Sequence, residues 1–365
     1  MGKIRIGTRG SRLALKQAAL VQDALSQTCG RTETELVILR TRGDRIQDRP
    51  LSEIGDKGVF ASELEQALLS GQIDLAVHSA KDLPMNLADG LTIAAVLPRA
   101  DVRDVLVVPR GGRTPVFRRC GGAREMTNAD VAGQFGVVPE SAEWKTKVFS
   151  DFPGQFCVGT GSRRRQLLAG KVWENVVCRE IRGNVETRLR KLQEGSYDGI
   201  LLAKAGLDRL GSSPEWESDF DFYPLSPELF LPAACQGIIA VEAVEGTEAV
   251  KICEKITDGE TALCFAVERE ALAQLSADCS EAAAAWCRRE RTARDLEATD
   301  ASAAWDSEVT GMSAARGSET ACTEARLLLD VMYADCRVGM TGAVSAEEGR
   351  RMAREAVRTV KGRDK

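Results

Sequence analysis

The sequence predicts an α/β protein: two successive α/β units followed by a smaller α+β unit. Three observations carry this. Short apolar runs rich in Val, Ile and Leu alternate with helix-period segments from residue 4 to residue 203, as strands and helices of a largely parallel sheet do. One local arrangement, a strand running into a Gly turn, a Ser and an Arg-bearing helix start, occurs at residues 4–12 and again at residues 156–165. From Thr257 onward the composition turns Ala-, Glu- and Arg-rich and the strand–helix alternation stops.

In order, residues 4–8 read as a strand. A helix follows with Ala14, Ala18, Val21 and Leu25 on one face and Ser11 as its N-cap. Residues 36–41 are the next strand, and a helix with Phe60, Leu64, Ala67 and Leu68 on its apolar face closes at Gly71. Residues 74–78 form a strand that delivers His78, Ser79, Ala80, Lys81, Asp82, Leu83 and Pro84, and residues 91–97 and 105–108 are two more strands. Residues 109–155 are an excursion with two Gly-Gly pairs and weak periodicity. Order resumes with a strand at 156–159, a helix capped by Ser162 and a strand at 176–181. A helix capped by Asn184 and stopped by Gly195 follows, then a strand at 197–203. Residues 213–227 read as a Pro- and acid-rich linker, and residues 238–242 as a strand returning to the first unit. A helix over 261–275, strand-like sequence within 325–338 and an amphipathic helix over 346–360 make up the third unit. The resulting domains are 1–102 with 238–256, 103–237 including the excursion, and 257–365.

Composition narrows the function. A chain of 365 residues with 44% hydrophobic and 28% charged residues is an ordinary globular protein. Its net charge of −5 does not attract nucleic acid, so an anion site has to come from locally gathered Arg and Lys. The first residues enter strand-like sequence at once and no stretch is long and apolar enough for a bilayer, which predicts a cytoplasmic protein. Eleven cysteines without a Cys-x-x-Cys pair indicate neither a disulfide framework nor a zinc ribbon, and the single His78 argues against a histidine metal site.

The segment around His78 admits two readings. A His, a Ser, a Lys and an Asp at the carboxyl end of a buried strand stand where open α/β sheets bind ligands. Ser79 and Asp82 are equally ordinary turn formers ahead of Pro84. The arginines tip the balance. Arg9 and Arg12, then Arg163, Arg164 and Arg165, then Arg182 and Arg188 stand at helix starts or strand ends in both α/β units. Arginine in the first helical turn opposes the helix dipole, a local cost that a bound anion reverses. Planar guanidinium groups suit carboxylates, so the pattern points to a small polycarboxylate in a cleft.

Four stretches carry a family resemblance: His78 to Pro84; Gly159-Thr160-Gly161-Ser162-Arg163-Arg164-Arg165-Gln166; Ile181-Arg182-Gly183-Asn184-Val185-Glu186-Thr187-Arg188-Leu189; and Leu231-Pro232-Ala233-Ala234-Cys235-Gln236-Gly237. With Gly7 to Ser11 and Thr41 to Asp44, and in this order, they closely resemble porphobilinogen deaminases, also called hydroxymethylbilane synthases. The likeness spans about residues 3–108 and 156–280. It implies two periplasmic-binding-protein-like α/β domains plus a smaller α+β C-terminal domain, and a dipyrromethane cofactor thioether-linked to a cysteine of the third domain. It implies a cytoplasmic, monomeric transferase acting on porphobilinogen, with no nucleic acid, membrane or metal partner.

By the same resemblance Asp82 is the catalytic carboxylate, accepting pyrrole N–H hydrogen bonds and stabilising positive charge on the ring. Cys279 is the attachment cysteine, with Cys287 a distant second choice. Lys81, Asp82, Ser162, Arg164, Arg165, Arg182 and Gly183 match cofactor-binding positions, and Arg9, Ser11, Lys57, Arg163 and Arg188 match substrate-binding ones. Neutralising Arg164 or Arg165 is expected to weaken chain elongation more than stability. The sequence departs from the family at the attachment loop, with Ala277-Asp278 before Cys279 and Ser280-Glu281-Ala282 after it. Two further readings stand beside this one: a non-catalytic carboxylate-binding protein of the same two-lobed design, and a Lys81 Schiff-base enzyme, for which no phosphate loop is present.

Overall fold

A computed structural model describes residues 3–30, 33–39, 62–115, 154–211, 213–275, 282–290, 326–334 and 336–363. The first sheet contains β1 (Ile4–Arg9), β2 (Thr34–Leu39), β3 (Leu75–Ser79), β4 (Leu91–Val96) and, from much later in the chain, β10 (Ile239–Val244). Their order is β2-β1-β3-β10-β4. β1 runs parallel to β2 and β3, and β10 runs antiparallel to β3 and β4. Period-two alternation sorts the core: Leu75 and Val77 of β3 face α1 (Arg12–Cys29), which buries Ala18, Val21 and Leu25. Ala76 faces the other way, onto Leu64 and Leu68 of α2 (Ser62–Leu69). Gly71 closes α2 with φ +70°, a conformation that glycine adopts without penalty.

The second sheet repeats this plan. It contains β5 (Asp104–Pro109), β6 (Phe156–Gly159), β7 (Val176–Arg179), β8 (Gly199–Ala203) and β9 (Phe220–Pro224) in the order β7-β6-β8-β5-β9. β6 is parallel to β7 and β8, while β5 is antiparallel to β8 and β9. α3 (Arg163–Val172) packs Leu168, Ala169 and the adjoining Trp173 on one face. α4 (Val185–Gln193) and α5 (Lys204–Leu210) cover the other with Leu189, Leu192 and Leu207. Each sheet therefore takes its antiparallel strand next to a crossover between the units, which makes both sheets mixed where a largely parallel sheet was expected.

The stretch 213–227, read from sequence as a linker, is instead structured. It holds α6 (Pro214–Asp219), capped by Ser213, and the edge strand β9. The apolar content of Phe-Asp-Phe-Tyr, paired along β5, outweighs the acidic and prolyl character of its surroundings. The return strand β10 lies where it was expected, in the first sheet. The two crossovers run side by side: Leu97 N donates to Ile239 O at 3.1 Å and Ala100 N to Gly237 O at 3.1 Å. Gly237 has φ +89°, and a Cβ there would stand 2.5 Å from Ala100 O, so this close approach admits only glycine.

The chain then forms α7 (Glu248–Glu254) against the first sheet and α8 (Gly259–Leu275). β11 (Ala283–Glu290), β12 (Arg326–Tyr333) and β13 (Cys336–Ala343) make an antiparallel sheet in that order, and α9 (Ala346–Arg363) packs with α8 over it. β11 was not legible: its Ala-rich run favours helix locally, and pairing with β12 overrides that preference. A buried ion pair anchors this unit to the crossover. Glu268, fully buried on α8, holds Arg99 at 2.6 Å and also accepts the backbone N–H groups of Cys235 at 2.5 Å and Cys287 at 2.7 Å.

Candidate active site

The site is assembled from strand ends. At the end of β3 the chain makes one 3-10 turn over Ala80–Asp82, fixed by Ala80 N donating to Ile238 O at 3.0 Å. Ser79 exchanges hydrogen bonds with Gln17 of α1 at 2.8 and 3.2 Å. His78 faces inward: its Nε2 lies 2.9 Å from Glu242 Oε2 on β10, both side chains buried, so the histidine belongs to the sheet. The turn directs Asp82 outward. Asp82 is exposed and its carboxylate makes no hydrogen bond or ion pair among the described residues.

Lys81, beside it, is half-buried and donates to Gln236 Oε1 at 3.3 Å. Burial pushes its ammonium down to about 8. Asp82 and Asp104 act to raise it, and Arg165 and Arg164 to lower it.

At the end of β6, Ser162 caps α3 by accepting from Arg165 N, and Asn184 caps α4 by accepting from Thr187 N at 2.9 Å. Ser11 does the same for α1, accepting from Ala14 N at 3.2 Å. All three caps are those the sequence predicts. Arg163 points out and bonds Gln166 at 3.4 Å. Arg164 and Arg165 point in, onto Asp104, the first residue of β5, which is fully buried. Arg164 Nη1 reaches Asp104 Oδ2 at 2.7 Å and Leu231 O at 2.6 Å. Arg165 places Nε and Nη2 at 3.1 and 2.7 Å from Asp104 Oδ1 and Nη1 at 2.8 Å from Leu201 O. Burial alone would raise the Asp104 carboxyl, but the two guanidinium groups hold it well below the usual carboxylate range.

α4 completes the arrangement. Arg188 Nε donates to Gly183 O at 2.8 Å, and burial pushes Arg188 down to about 10, with Arg165 and Arg182 adding to the effect and Asp82 opposing it. The charges of Asp82, on the turn after β3, and Arg188 of the second unit thus act on one another. Gly183 has φ +112°, and a Cβ there would meet Thr187 at 2.6 Å, so the strand-to-helix turn that aims Arg188 depends on glycine. Arg182 bonds Glu180 at 2.8 Å.

Lys81, Asp82, Arg164, Arg165, Arg182 and Arg188 are therefore linked by contact or charge. Arg9, Ser11 and Arg163 stand at the corresponding helix starts, where Ser11 accepts from Ala14 N and Arg163 bonds Gln166. Lys57 and Cys279 lie outside the described residues. Sequence reasoning missed Asp104. It also took Gln236 only as a motif letter. Each acts on residues far off in the chain, and no local pattern marks them. Among the described residues no group of His, Cys, Asp and Glu is arranged to hold a metal ion.

Around Asp104 stand three cations, Lys81, Arg164 and Arg165, against one carboxylate, which leaves an excess of two positive charges at protonation of all three. Buried excess charge is costly, and a polyanionic ligand offsets it. A family model described as "Porphobilinogen deaminase, dipyromethane cofactor binding domain" matches residues 4–252. The chain belongs to the porphobilinogen deaminase family. It is accordingly a transferase, and its matched region is the part of the family that binds the dipyrromethane cofactor. The porphobilinogen deaminase of Streptococcus sanguinis is 37% identical over 301 residues, covering 82% of this chain and 86% of that one. That of Nitrobacter hamburgensis is 40% identical over 286 residues, 78% of each. Among solved structures, the VFT2 domain of Bordetella pertussis BvgS aligns over 72% of this chain and 91% of that chain at 15% identity and TM-score 0.37. The two mixed sheets define the α/β class by themselves. No helix among the described residues is long and apolar enough to cross a membrane.

Proposed function

We propose that this porphobilinogen deaminase family member is a hydroxymethylbilane synthase. It joins four porphobilinogen units head to tail, releasing ammonia at each condensation, and then frees linear hydroxymethylbilane by hydrolysis. The observation that carries this reading is the unpaired, exposed Asp82 carboxylate beside the excess positive charge built around Asp104. The dipyrromethane cofactor, when bound through Cys279, supplies the nucleophilic pyrrole carbon from which the chain grows. Asp82 accepts pyrrole N–H hydrogen bonds and stabilises positive charge developing on the ring. Lys81, Ser162, Arg164, Arg165, Arg182 and the Gly183 turn hold acidic side chains of the cofactor, and Arg9, Ser11, Lys57, Arg163 and Arg188 those of incoming porphobilinogen. The three domains are 1–102 with 238–256, 103–237, and 257–365, and the enzyme works as a cytoplasmic monomer.

The electrostatics suit a ligand with several carboxylates, because the guanidinium groups are already oriented by Asp104, Leu231 and Leu201 before anything binds. Intact mass tests the reading. The purified chain should exceed its sequence mass by two pyrrole units, and Cys279→Ala should abolish both this increment and porphobilinogen consumption. An unmodified chain that neither acquires the cofactor nor consumes porphobilinogen removes the proposal and leaves the carboxylate-binding alternative.

A further inference from the structure

Gln236 sits in the return crossover between β9 and β10 and is fully buried. Its side-chain amide is engaged on both sides. Oε1 accepts from Lys81 Nζ at 3.3 Å, while Nε2 donates to Val102 O at 2.7 Å and to Asp104 Oδ1 at 3.1 Å. Its backbone is fixed as well, with the carbonyl accepting from Arg99 Nε at 2.9 Å and the N–H donating to Ala233 O at 3.1 Å. An ammonium only donates and an ionised carboxylate only accepts, so the charges on either side dictate which way the amide faces. Among the described residues it is the only side chain hydrogen-bonded both to Lys81 and to the carboxylate that orients Arg164 and Arg165.

We infer that Gln236 is a positioning residue: by bridging the Lys81 ammonium of the first lobe to the Asp104 carboxylate of the second, it fixes where Lys81 points and keeps it from pairing with Asp82. The inference rests on the function proposed above, in which Lys81 holds acidic side chains while Asp82 works on the pyrrole ring. Lysine has a flexible four-carbon stem. The groups that face its ammonium are Asp82 on its own turn, Asp104 on β5, and Arg164 and Arg165 on α3. Without the Gln236 carbonyl, the two arginines repel Lys81 from the Asp104 side. The exposed Asp82 carboxylate, one residue away, is then its available partner. A direct Lys81–Asp82 pair would occupy the carboxylate the reaction needs. Gln236 also joins the two lobes at their crossover, so the orientation of Lys81 follows the relative position of the lobes.

The test is the titration of Lys81 itself in the full chain, by competitive labelling with acetic anhydride from about pH 6 to about pH 11 and mass spectrometry of the Lys81 peptide, in the parent, Q236L and Q236E. Q236L frees the ammonium to pair with the Asp82 carboxylate, so its Lys81 midpoint should rise by about one pH unit, and adding D82N to Q236L should abolish that rise. Q236E places a carboxylate against the ammonium, and its midpoint should rise by a similar amount. In steady-state assays KM for porphobilinogen should rise about tenfold in Q236L, as expected when a charged binding group loses its orientation. A Q236L midpoint that stays put or falls, or a rise that persists when D82N is added, overturns the inference and makes Gln236 a structural tie between crossovers. If Q236L does not fold by circular dichroism, Q236M, which keeps the length of the side chain without its amide, takes its place in the same comparison with and without D82N. Labelling needs no turnover, so a parent chain without cofactor or activity sinks the proposed function separately from the role of Gln236 in setting Lys81.

Discussion

Asp104 offers the most quantitative handle on this structure. Its carboxylate accepts four hydrogen bonds: from Arg164 at 2.7 Å, from Arg165 at 3.1 and 2.7 Å, and from Gln236 at 3.1 Å. Asp104→Asn keeps the shape but leaves one acceptor oxygen, turns an NH2 group toward a guanidinium and removes the counter-charge of two buried arginines. Hydrogen bonds to charged groups contribute about 1.5–3 kcal/mol each. Breaking a buried ion pair by neutralising one partner costs about 3–5 kcal/mol. Arg164 and Arg165 keep the carbonyls of Leu231 and Leu201, which moderates the loss, so about 3–4 kcal/mol is expected. In a urea titration followed by circular dichroism, with a slope of about 2–3 kcal/mol per molar, the transition of the second unit should fall by about 1–2 M. Asp74→Asn, which breaks the partly exposed Arg5 pair, is the control and should move the midpoint far less than Asp104→Asn. A midpoint within about 0.3 M of the parent's at unchanged slope would refute the assignment of Asp104 as the counter-charge of α3.

Asp82→Asn should leave the urea midpoint and the cofactor mass increment unchanged while lowering turnover by about 10²–10³-fold, since the exposed side chain contributes to chemistry and not to packing; near-normal turnover would remove Asp82 from its role. In that inactive variant, binding of porphobilinogen should take up protons. The folded chain holds Lys81 at about 8, below its usual 10.5, and an anionic ligand raises it again. Loss of the Asp82 charge, which raises Lys81 in the parent, moves the lower edge of the window below about pH 8, so the uptake should appear from there toward about pH 10 in calorimetry run in buffers of different ionisation enthalpy, with affinity declining on the alkaline side. The sign for folding is the reverse. The unliganded chain carries the Lys81 penalty in full below about pH 8 and is relieved of it as pH rises toward 10.5. Arg165→Gln should cost about 2–4 kcal/mol of stability as well as elongation, measured by urea titration and by mass spectrometry of the bound oligopyrrole, because its guanidinium closes three hydrogen bonds in the core.

That last expectation reverses the one drawn from the sequence alone, and the reason shows what a sequence can disclose. Local chemistry was legible. Ser11, Ser162 and Asn184 cap the helices they were expected to cap, because a cap is decided within four residues. Long periodic segments such as Thr261 to Leu275 were legible for the same reason. The partner of a charged side chain was not. Arg164 and Arg165 read only as ligand contacts since their counter-charge, Asp104, lies about sixty residues earlier on β5, the first strand after the crossover into their own unit. β9 and β11 were missed likewise, since what makes Phe220–Pro224 and Ala283–Glu290 strands is pairing with β5 and β12 rather than their own composition.

The position of Asp104 also bears on how the site can recognise an anion at modest cost. Arginines free to move would lose side-chain entropy on each binding event, and the ligand would have to supply it. Here that ordering is completed on folding, because one carboxylate and two backbone carbonyls already fix the guanidinium groups. A single buried carboxylate orients two arginines but cancels only one charge, so the surplus remains for the ligand. A second acid at this place would complete the neutralisation and remove the attraction. None would leave two like charges buried together, which the fold could not hold. One carboxylate among three cations lies between these limits, and Gln236, neutral yet able to bond both signs, is what lets Lys81 share the cluster without claiming its only anion.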